Sequence, residues 1–237
     1  MIVCLLAGCA HDVDGAAIPA TGALRILPTG DEITAAAGNV LSTFGFQPFD
    51  GGVDVLPDGY RSDADATPIA CAAVTDTAPR FVYQQLPVLE AARQSYFNWD
   101  PGVGTSGADA AVIRLSDPGA AMRAFDSFTR QWRQCGTTTV VKHLRGAGGA
   151  GAGSGTDTVI DAAVSDVASS GSTLSATVRT RQRQGAATRY ERALGVRGGT
   201  IVEVSLAITP EGERRPDPRG RAVRVVQVML DKVGSGI

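Results

Sequence analysis

The stretch from Asp117 to Cys135, DPGAAMRAFDSFTRQWRQC, constrains the fold more than any other part of this sequence. Asp117 can cap a helix, and Pro118 suits its first turn. Apolar residues then recur at the spacing of one helical face, at Ala121, Phe125, Phe128 and Trp132. The pattern predicts an amphipathic core helix whose apolar stripe is buried against a second layer of structure.

The overall composition suits a globular domain. The chain has 237 residues, of which 43% are hydrophobic, with a mean hydropathy of +0.03 and a net charge of -2. A chain of this size can bury a sizeable core, and one domain is expected. The near-neutral charge argues against nucleic acid as a partner, because phosphate binding needs a strong excess of Lys and Arg.

The first nine residues, MIVCLLAGC, resemble the end of a lipoprotein signal peptide. Small residues before Cys9 form a lipobox, which predicts cleavage there and lipidation of Cys9, with palmitate among the acyl chains. No Lys or Arg precedes Cys9 and the apolar run is short, which indicates a truncated or mis-started signal. The predicted organisation is a signal peptide at 1–9, a tether at 10–28 and one domain at 29–237, anchored at the extracytoplasmic face of the cell membrane by lipid.

The cysteine count supports that compartment. If Cys4 leaves with the signal peptide and Cys9 carries lipid, then Cys71 and Cys135 remain as a pair, and an oxidising compartment favours a disulfide between them. The alternatives are a metal site and a nucleophilic thiol. The chain has no CxxC motif and only two histidines, so no metal, cofactor or Ser-His-Asp triad is expected.

The remaining pattern is mostly that of strands. Segments 92–99 and 110–115 predict an antiparallel pair around the turn at Asp100-Pro101-Gly102, and 53–56 a short strand. After the core helix, 137–144 is β-branched and a glycine-rich linker occupies 146–155. Four further segments predict a meander with one wet face, at 157–167, 173–183, 187–197 and 200–208.

A second amphipathic helix is predicted at the end of the sequence, over residues 219–233. It is expected beside the core helix. The predicted fold class is therefore α+β, an antiparallel β-sheet covered on one face by two main amphipathic helices, with one disulfide.

Candidate ligand-binding residues come from two patterns. Tyr83, Tyr96 and Trp99 are amphipathic aromatic residues that could line a groove or simply fill the core. Arg181 and Arg192 lie on adjacent predicted strands and could form a basic surface for anionic headgroups or cell-wall polymers, or a solvated strand face. Neither pattern carries catalytic chemistry.

The order of several weak motifs resembles a known family. LPTGDEITAAAG, a Cys some 35 residues later, apolar strands and a helix closing on W-x-x-C are similar to the PknH-like extracellular sensor domain, from about Leu24 to Val233. That family includes the external domain of a mycobacterial Ser/Thr kinase and stand-alone actinobacterial lipoproteins. The resemblance implies that Cys71 and Cys135 form the family's first disulfide, that Trp132 is its core Trp, and that the domain binds an unidentified ligand without enzymatic activity.

These observations favour a lipid-anchored extracytoplasmic sensor-like or ligand-binding lipoprotein that is not an enzyme and is a monomer. The expected ligand is a small amphiphile, a lipid or a cell-wall component. The alternative is a structural or protein-interaction lipoprotein of the cell envelope, which predicts an exposed patch instead of a pocket; a hydrolase would need a perturbed acid or base in a cleft. The sequence does not say whether a groove is present; if there is one, it is expected where the sheet and the loops between Gly38 and Trp99 leave the core helix uncovered.

Overall fold

The computed structural model describes residues 22–144, 158–182, 185–217 and 219–235. Within these residues, nine strands form one antiparallel sheet with the order β1-β3-β4-β9-β8-β7-β6-β5-β2. The strands are β1 (Phe49–Gly51), β2 (Ala66–Thr67), β3 (Val88–Phe97), β4 (Thr105–Leu115), β5 (Thr139–Leu144), β6 (Thr158–Ser170), β7 (Thr173–Gln182), β8 (Thr188–Arg197) and β9 (Thr200–Ile208). The predicted β3-β4 pair and the meander from β6 to β9 are both confirmed.

Seven helices accompany the sheet in the described residues: α1 (Gly22–Ile26), α2 (Gly30–Ala37), α3 (Ile69–Thr75), α4 (Arg80–Tyr83), α5 (Pro118–Gln134), α6 (Pro210–Arg214) and α7 (Arg221–Gly234). The two longest, α5 and α7, are the two predicted amphipathic helices. The Asp117 carboxylate accepts a hydrogen bond from the backbone N–H of Ala120 at 2.7 Å, and the predicted apolar stripe of α5 is buried. The short strand predicted near 53–56 is instead a 3-10 turn, Val53–Val55.

The two long helices lie on opposite faces of the sheet, which corrects the prediction that both cover one face. On β4, Ala111 and Ile113 join the core beneath α5, whereas Ala110 and Val112 join the core beneath α7. We call these two sides the α5 face and the α7 face. The prediction of a solvent-exposed face for the meander is also wrong at the centre of the sheet. β9 is buried along nearly its whole length, so its side chains are covered on both faces of the sheet. The α+β class itself is confirmed.

Gly195 allows α7 to approach the sheet closely. A Cβ at this position would lie 2.6 Å from Cγ1 of Val226 and 2.9 Å from Cδ1 of Leu230. Real Cβ atoms do not approach other carbons this closely, so any larger residue would push the helix away from β8. The glycine in the middle of a strand is therefore explained by packing.

The predicted disulfide is confirmed. Cys71 in α3 is bonded to Cys135, the residue that follows α5, with 5.6 Å between their Cα atoms. Both residues are buried. The bond therefore fixes the small helix α3 against the end of the core helix, over the α5 face.

The folded domain begins before the predicted end of the tether. Gly22–Ile26 form α1, whose Ala23 and Ile26 are buried against the α7 face, and the Tyr96 hydroxyl donates a hydrogen bond to the Pro28 carbonyl. The prediction of a tether through residue 28 is therefore wrong from residue 22 onward. The predicted lipidation site, Cys9, and the glycine-rich linker lie outside the described residues. Among the helices that the structure describes, none is long and apolar enough to cross a membrane.

The sheet is strongly curved toward the α5 face. β3 and β5 are six strand positions apart, which would separate them by about 29 Å in a flat sheet. Nevertheless Ser95 of β3 and Leu144 of β5 line the same cavity. The α5 face is therefore concave, and the segment that connects β1 to α4 crosses its open end.

Candidate functional site

A groove lies on the concave α5 face, at the end of the sheet that α5 does not cover. It consists of two adjoining cavities of about 260 and 300 Å³. Both cavities are lined by Tyr60, Asp76, Thr77, Asp109 and Leu144. The groove lies between the sheet and the loops of the Gly38 to Trp99 stretch, the place where the sequence expected any groove to lie.

The walls of the groove are partly apolar and partly rich in hydroxyl groups. One cavity is completed by apolar residues, among them Pro57, Pro79 and Ala111, and by the polar side chains of Arg93, Gln94 and Ser95. The other is completed by Ile160 and by the hydroxyl-bearing Thr180, Tyr190 and Ser205. A site with apolar walls and a few converging polar groups is the usual form of a small-molecule site.

Asp76 is the best-connected polar residue of the groove. Its carboxylate lies 2.6 Å from the Lys142 ammonium and accepts hydrogen bonds from the hydroxyls of Thr75 at 2.6 Å and Tyr60 at 3.1 Å. Burial, and then the negative charge of Asp76, raise the pKa of Tyr60 well above its usual range. The Tyr60 hydroxyl therefore stays protonated and remains a donor, and the charge of Asp76 is balanced by Lys142.

Asp109 is different, because it forms no ion pair among the described residues, although the Arg93 guanidinium of the same cavity interacts with it electrostatically. The hydroxyl of Ser95 donates a hydrogen bond to its carboxylate at 2.5 Å. Burial, and then the charge of Asp109, raise the pKa of the nearby Tyr190 hydroxyl. The groove therefore holds one carboxylate that has no ion pair of its own, next to a tyrosine that stays neutral.

A buried ion pair fixes the loop that carries Asp76. The guanidinium of Arg192 on β8 lies 2.7 Å from the carboxylate of Glu203 on β9, and the two side chains are 0% and 3% exposed. All five N–H groups of Arg192 are donated to acceptors. Besides Glu203, these are the carbonyls of Val74, Asp76 and Val204 and the hydroxyl of Thr77.

The carboxylate of Glu203 completes the same network from the other side. It accepts hydrogen bonds from the backbone N–H of Ala78 and from the hydroxyl of Tyr83. Burial, and then the charge of Glu203, raise the pKa of Tyr83 well above its usual range. The Trp132 ring lies over the guanidinium at 5.6 Å, a cation–π contact. The pair therefore joins the core helix, the sheet and the Asp76 loop.

Three of the predicted ligand contacts are corrected by their positions. Tyr83 and Tyr96 are core residues on opposite faces of the sheet, 0% and 2% exposed. Arg192 is fully buried in the network with Glu203 and points to the α5 face. Arg181 is exposed on the α7 face, so it cannot share one basic surface with Arg192. Of the two roles that the sequence allows for these tyrosines, groove or core, both residues occupy the core.

Trp99 is exposed and belongs to an aromatic cluster at one end of β3. Its side chain is 70% exposed, and its ring stacks on Phe44 at 4.4 Å and lies 5.7 Å from Phe97. Phe46 lies edge-on to Phe97 and is also exposed. The predicted ligand role of Trp99 stays a prediction, but the residue lies outside the two cavities of the groove.

The sequence did not predict the polar residues of the groove. Asp76, Asp109 and Lys142 are far apart in the chain, and only the curvature of the sheet brings them together. Lys142 did carry a local signal. It is one of two lysines in the chain and alternates with Val140 and Leu144 on one face of a β-branched strand. A lone charge on an apolar strand face indicates a buried partner or a site.

The domain combines a curved antiparallel sheet, helices on both faces, a disulfide and an open groove, and it shares this architecture with an extracellular domain of the sensor type. The family described as PknH-like extracellular domain matches residues 18–232, and the chain belongs to that family. The crystal structure of the extracellular domain of PknH from Mycobacterium tuberculosis is similar in fold, with a TM-score of 0.68, 14% sequence identity, and coverage of 90% of this chain and 95% of that one. No curated protein matches the sequence significantly.

Proposed function

We propose that this protein is a lipid-anchored sensor module without catalytic activity, and that its groove binds a small amphiphile bearing an amino or hydroxyl head group. The observation that carries the proposal is the carboxylate of Asp109, which lies beside apolar walls and forms no ion pair among the described residues. A ligand ammonium or hydroxyl would bind Asp109, and its apolar part would cover Leu144, Ile160 and Ala111. The sensor-type family is consistent with binding in place of catalysis.

Attachment to the membrane is the second part of this proposal. The lipobox ending in Cys9 and the disulfide between Cys71 and Cys135 both fit a protein exported to an oxidising compartment. Several acyl chains on Cys9 would hold the protein at the membrane, which one chain alone does not. We expect palmitate labelling of the full chain to disappear in Cys9→Ala; labelling that persists without Cys9 would contradict the anchor while leaving the groove proposal intact.

Binding in the groove can be tested with three octyl amphiphiles that differ in head group. The fluorescent probe N-phenyl-1-naphthylamine is bound to the protein and displaced by octylamine, octyl glucoside or octanoate. Octylamine and octyl glucoside are expected to displace it, whereas octanoate should bind at least about tenfold more weakly, a difference of ~1.4 kcal/mol. The reason is that Asp109 repels a carboxylate head group and attracts an ammonium.

Asp109→Asn should remove most of this discrimination, because the amide carries no charge. Asp126→Asn is the matched control: Asp126 is an exposed carboxylate on α5, away from the groove, and the variant should discriminate like the parent. The proposal is wrong if no octyl compound displaces the probe, or if Asp109→Asn and Asp126→Asn discriminate equally.

The alternative function, a protein-interaction lipoprotein, is favoured by the exposed aromatic cluster at Phe44, Phe46 and Trp99. Scattered apolar residues on a surface are ordinary, but a contiguous aromatic patch often marks a contact surface. If the groove binds none of the three octyl compounds, the result would favour this alternative function.

A further inference from the structure

Another cavity lies on the α7 face, away from the groove. It has a volume of about 200 Å³ and lies between the first turn of α7 and strands β7 and β8. Its polar lining includes the guanidinium-bearing Arg189 and Arg219 and the hydroxyl-bearing Ser175 and Thr177. We call it the arginine cavity.

Most charges around the arginine cavity are paired. The Glu191 carboxylate lies 3.2 Å from the Arg221 guanidinium, and the Asp217 carboxylate lies 2.7 Å from that of Arg224. Glu191 also accepts the backbone N–H groups of Arg221 and Ala222 at 2.6 and 3.4 Å, so it already satisfies two donors at the start of α7.

Arg189 and Arg219 remain without a partner. Neither side chain has an ion pair or a hydrogen bond within the described residues, and the Nε of Arg189 is enclosed without an acceptor. The one carboxylate that could oppose them is Asp166, which accepts a hydrogen bond from the Ser165 hydroxyl at 3.0 Å. Two unpaired guanidinium groups against one carboxylate leave the cavity positive.

An enclosed Arg N–H without an acceptor is costly, so it calls for an explanation. An oxyanion would supply the acceptor, because the planar guanidinium fork matches two oxygens of a phosphate, sulfate or carboxylate. The third backbone N–H of the first turn of α7, that of Val223, is also free of an acceptor in the described structure and lines the cavity. The volume suits one such group with a few waters, at about 30 Å³ for each water.

We infer that the arginine cavity binds an oxyanion of the phosphate class, held by Arg189 and Arg219. The hydroxyls of Ser175 and Thr177 and the N–H of Val223 would donate further hydrogen bonds to the same group. The bound group could belong to free phosphate or to an anionic lipid head group. This site is independent of the amphiphile groove, which lies on the other face of the sheet.

Titration of the folded protein with inorganic phosphate tests this inference. Binding is followed by calorimetry and by the rise in melting temperature, at an ionic strength held constant with chloride. Saturable binding is expected for the parent. Arg189→Gln should weaken it at least tenfold and Arg219→Gln several-fold, because each variant removes a charged fork from the cavity. Neither arginine side chain forms a hydrogen bond or an ion pair within the described residues, so both variants should remain folded by circular dichroism.

Arg181→Gln is the matched control, since Arg181 is exposed on the same face but does not line the cavity. It should bind phosphate like the parent. The inference is overturned if phosphate produces no saturable effect, or if Arg189→Gln and Arg181→Gln respond alike.

A comparison of vesicles made of phosphatidylglycerol with vesicles made of phosphatidylcholine shows whether the bound group comes from a lipid or from free phosphate. Arg189-dependent binding to phosphatidylglycerol that phosphate displaces identifies a lipid head group, and phosphate binding without vesicle binding identifies a free anion.

Discussion

Replacing Glu203 with alanine is expected to lower the free energy of unfolding by about 3–5 kcal/mol, because the substitution leaves the guanidinium of Arg192 buried without its counter-ion. The two side chains are 3% and 0% exposed, so water cannot compensate for the lost carboxylate. The backbone N–H of Ala78 and the hydroxyl of Tyr83 lose their acceptor in the same variant. Urea unfolding followed by the fluorescence of the buried Trp132 measures the change.

The double variant Arg192→Met, Glu203→Leu separates the ion pair from the loop that it holds. Replacing both charges of a buried pair with apolar residues is often nearly neutral. Here we expect incomplete recovery, because the carbonyls of Val74 and Asp76 also lose the donors that Arg192 supplies. Amide exchange should therefore increase in the segment from 74 to 78. The exposed pair of Arg179 and Glu213 is the control, and breaking it should cost under about 1 kcal/mol. A similar cost at both pairs would contradict this account.

Removing the disulfide is the second change with a large expected effect. The bond between Cys71 and Cys135 closes a sequence separation of 64 residues, which restricts the unfolded chain by about 4 kcal/mol in the entropic account. We expect Cys71→Ala, Cys135→Ala to lose about that amount, which is a large share of the stability of a typical domain. Equilibrium unfolding in urea measures it.

Reduction of the parent protein provides the comparison for this variant. Protein with both thiols reduced should unfold at nearly the same denaturant concentration as the double alanine variant, because both lack the same cross-link. A loss below about 1 kcal/mol in the variant would mean that the chain between α3 and α5 is already restrained in the unfolded state.

The long helices could be predicted from the sequence, but the side of the sheet on which each lies could not. The cap at Asp117 and the stripe at Phe125, Phe128 and Trp132 are local signals, and they define α5 correctly. The placement of α7 depends on which faces of β8 and β9 are buried. Glu203 and Ser205 alternate with apolar residues on β9, a pattern typical of a wet face. In the fold Glu203 is buried because Arg192 pairs with it, and a pairing across strands leaves no trace in local periodicity.

The groove could be located in outline but not in chemistry. Proline and glycine recur between residues 39 and 70 and indicate loops, and loops over an incompletely covered sheet leave room for a ligand. The charged residues Asp76, Asp109 and Lys142 each look unremarkable in their own segments. These three residues lie close together only because the whole sheet is curved, and no single segment of the sequence encodes that curvature.

The position of β9 near the middle of the sheet determines the order in which this domain can assemble. β9 is the last strand along the chain, yet it lies between β4 and β8, and its pairing of Ile208 with Thr105 joins residues about a hundred positions apart. Contacts of such long range slow folding. Cys71 and Cys135 both precede β9, so the covalent bond can form on a partly made chain while β4 and β8 still present open edges. Those edges can pair with other chains until β9 inserts, so folding passes through a stage in which the domain is most exposed to aggregation.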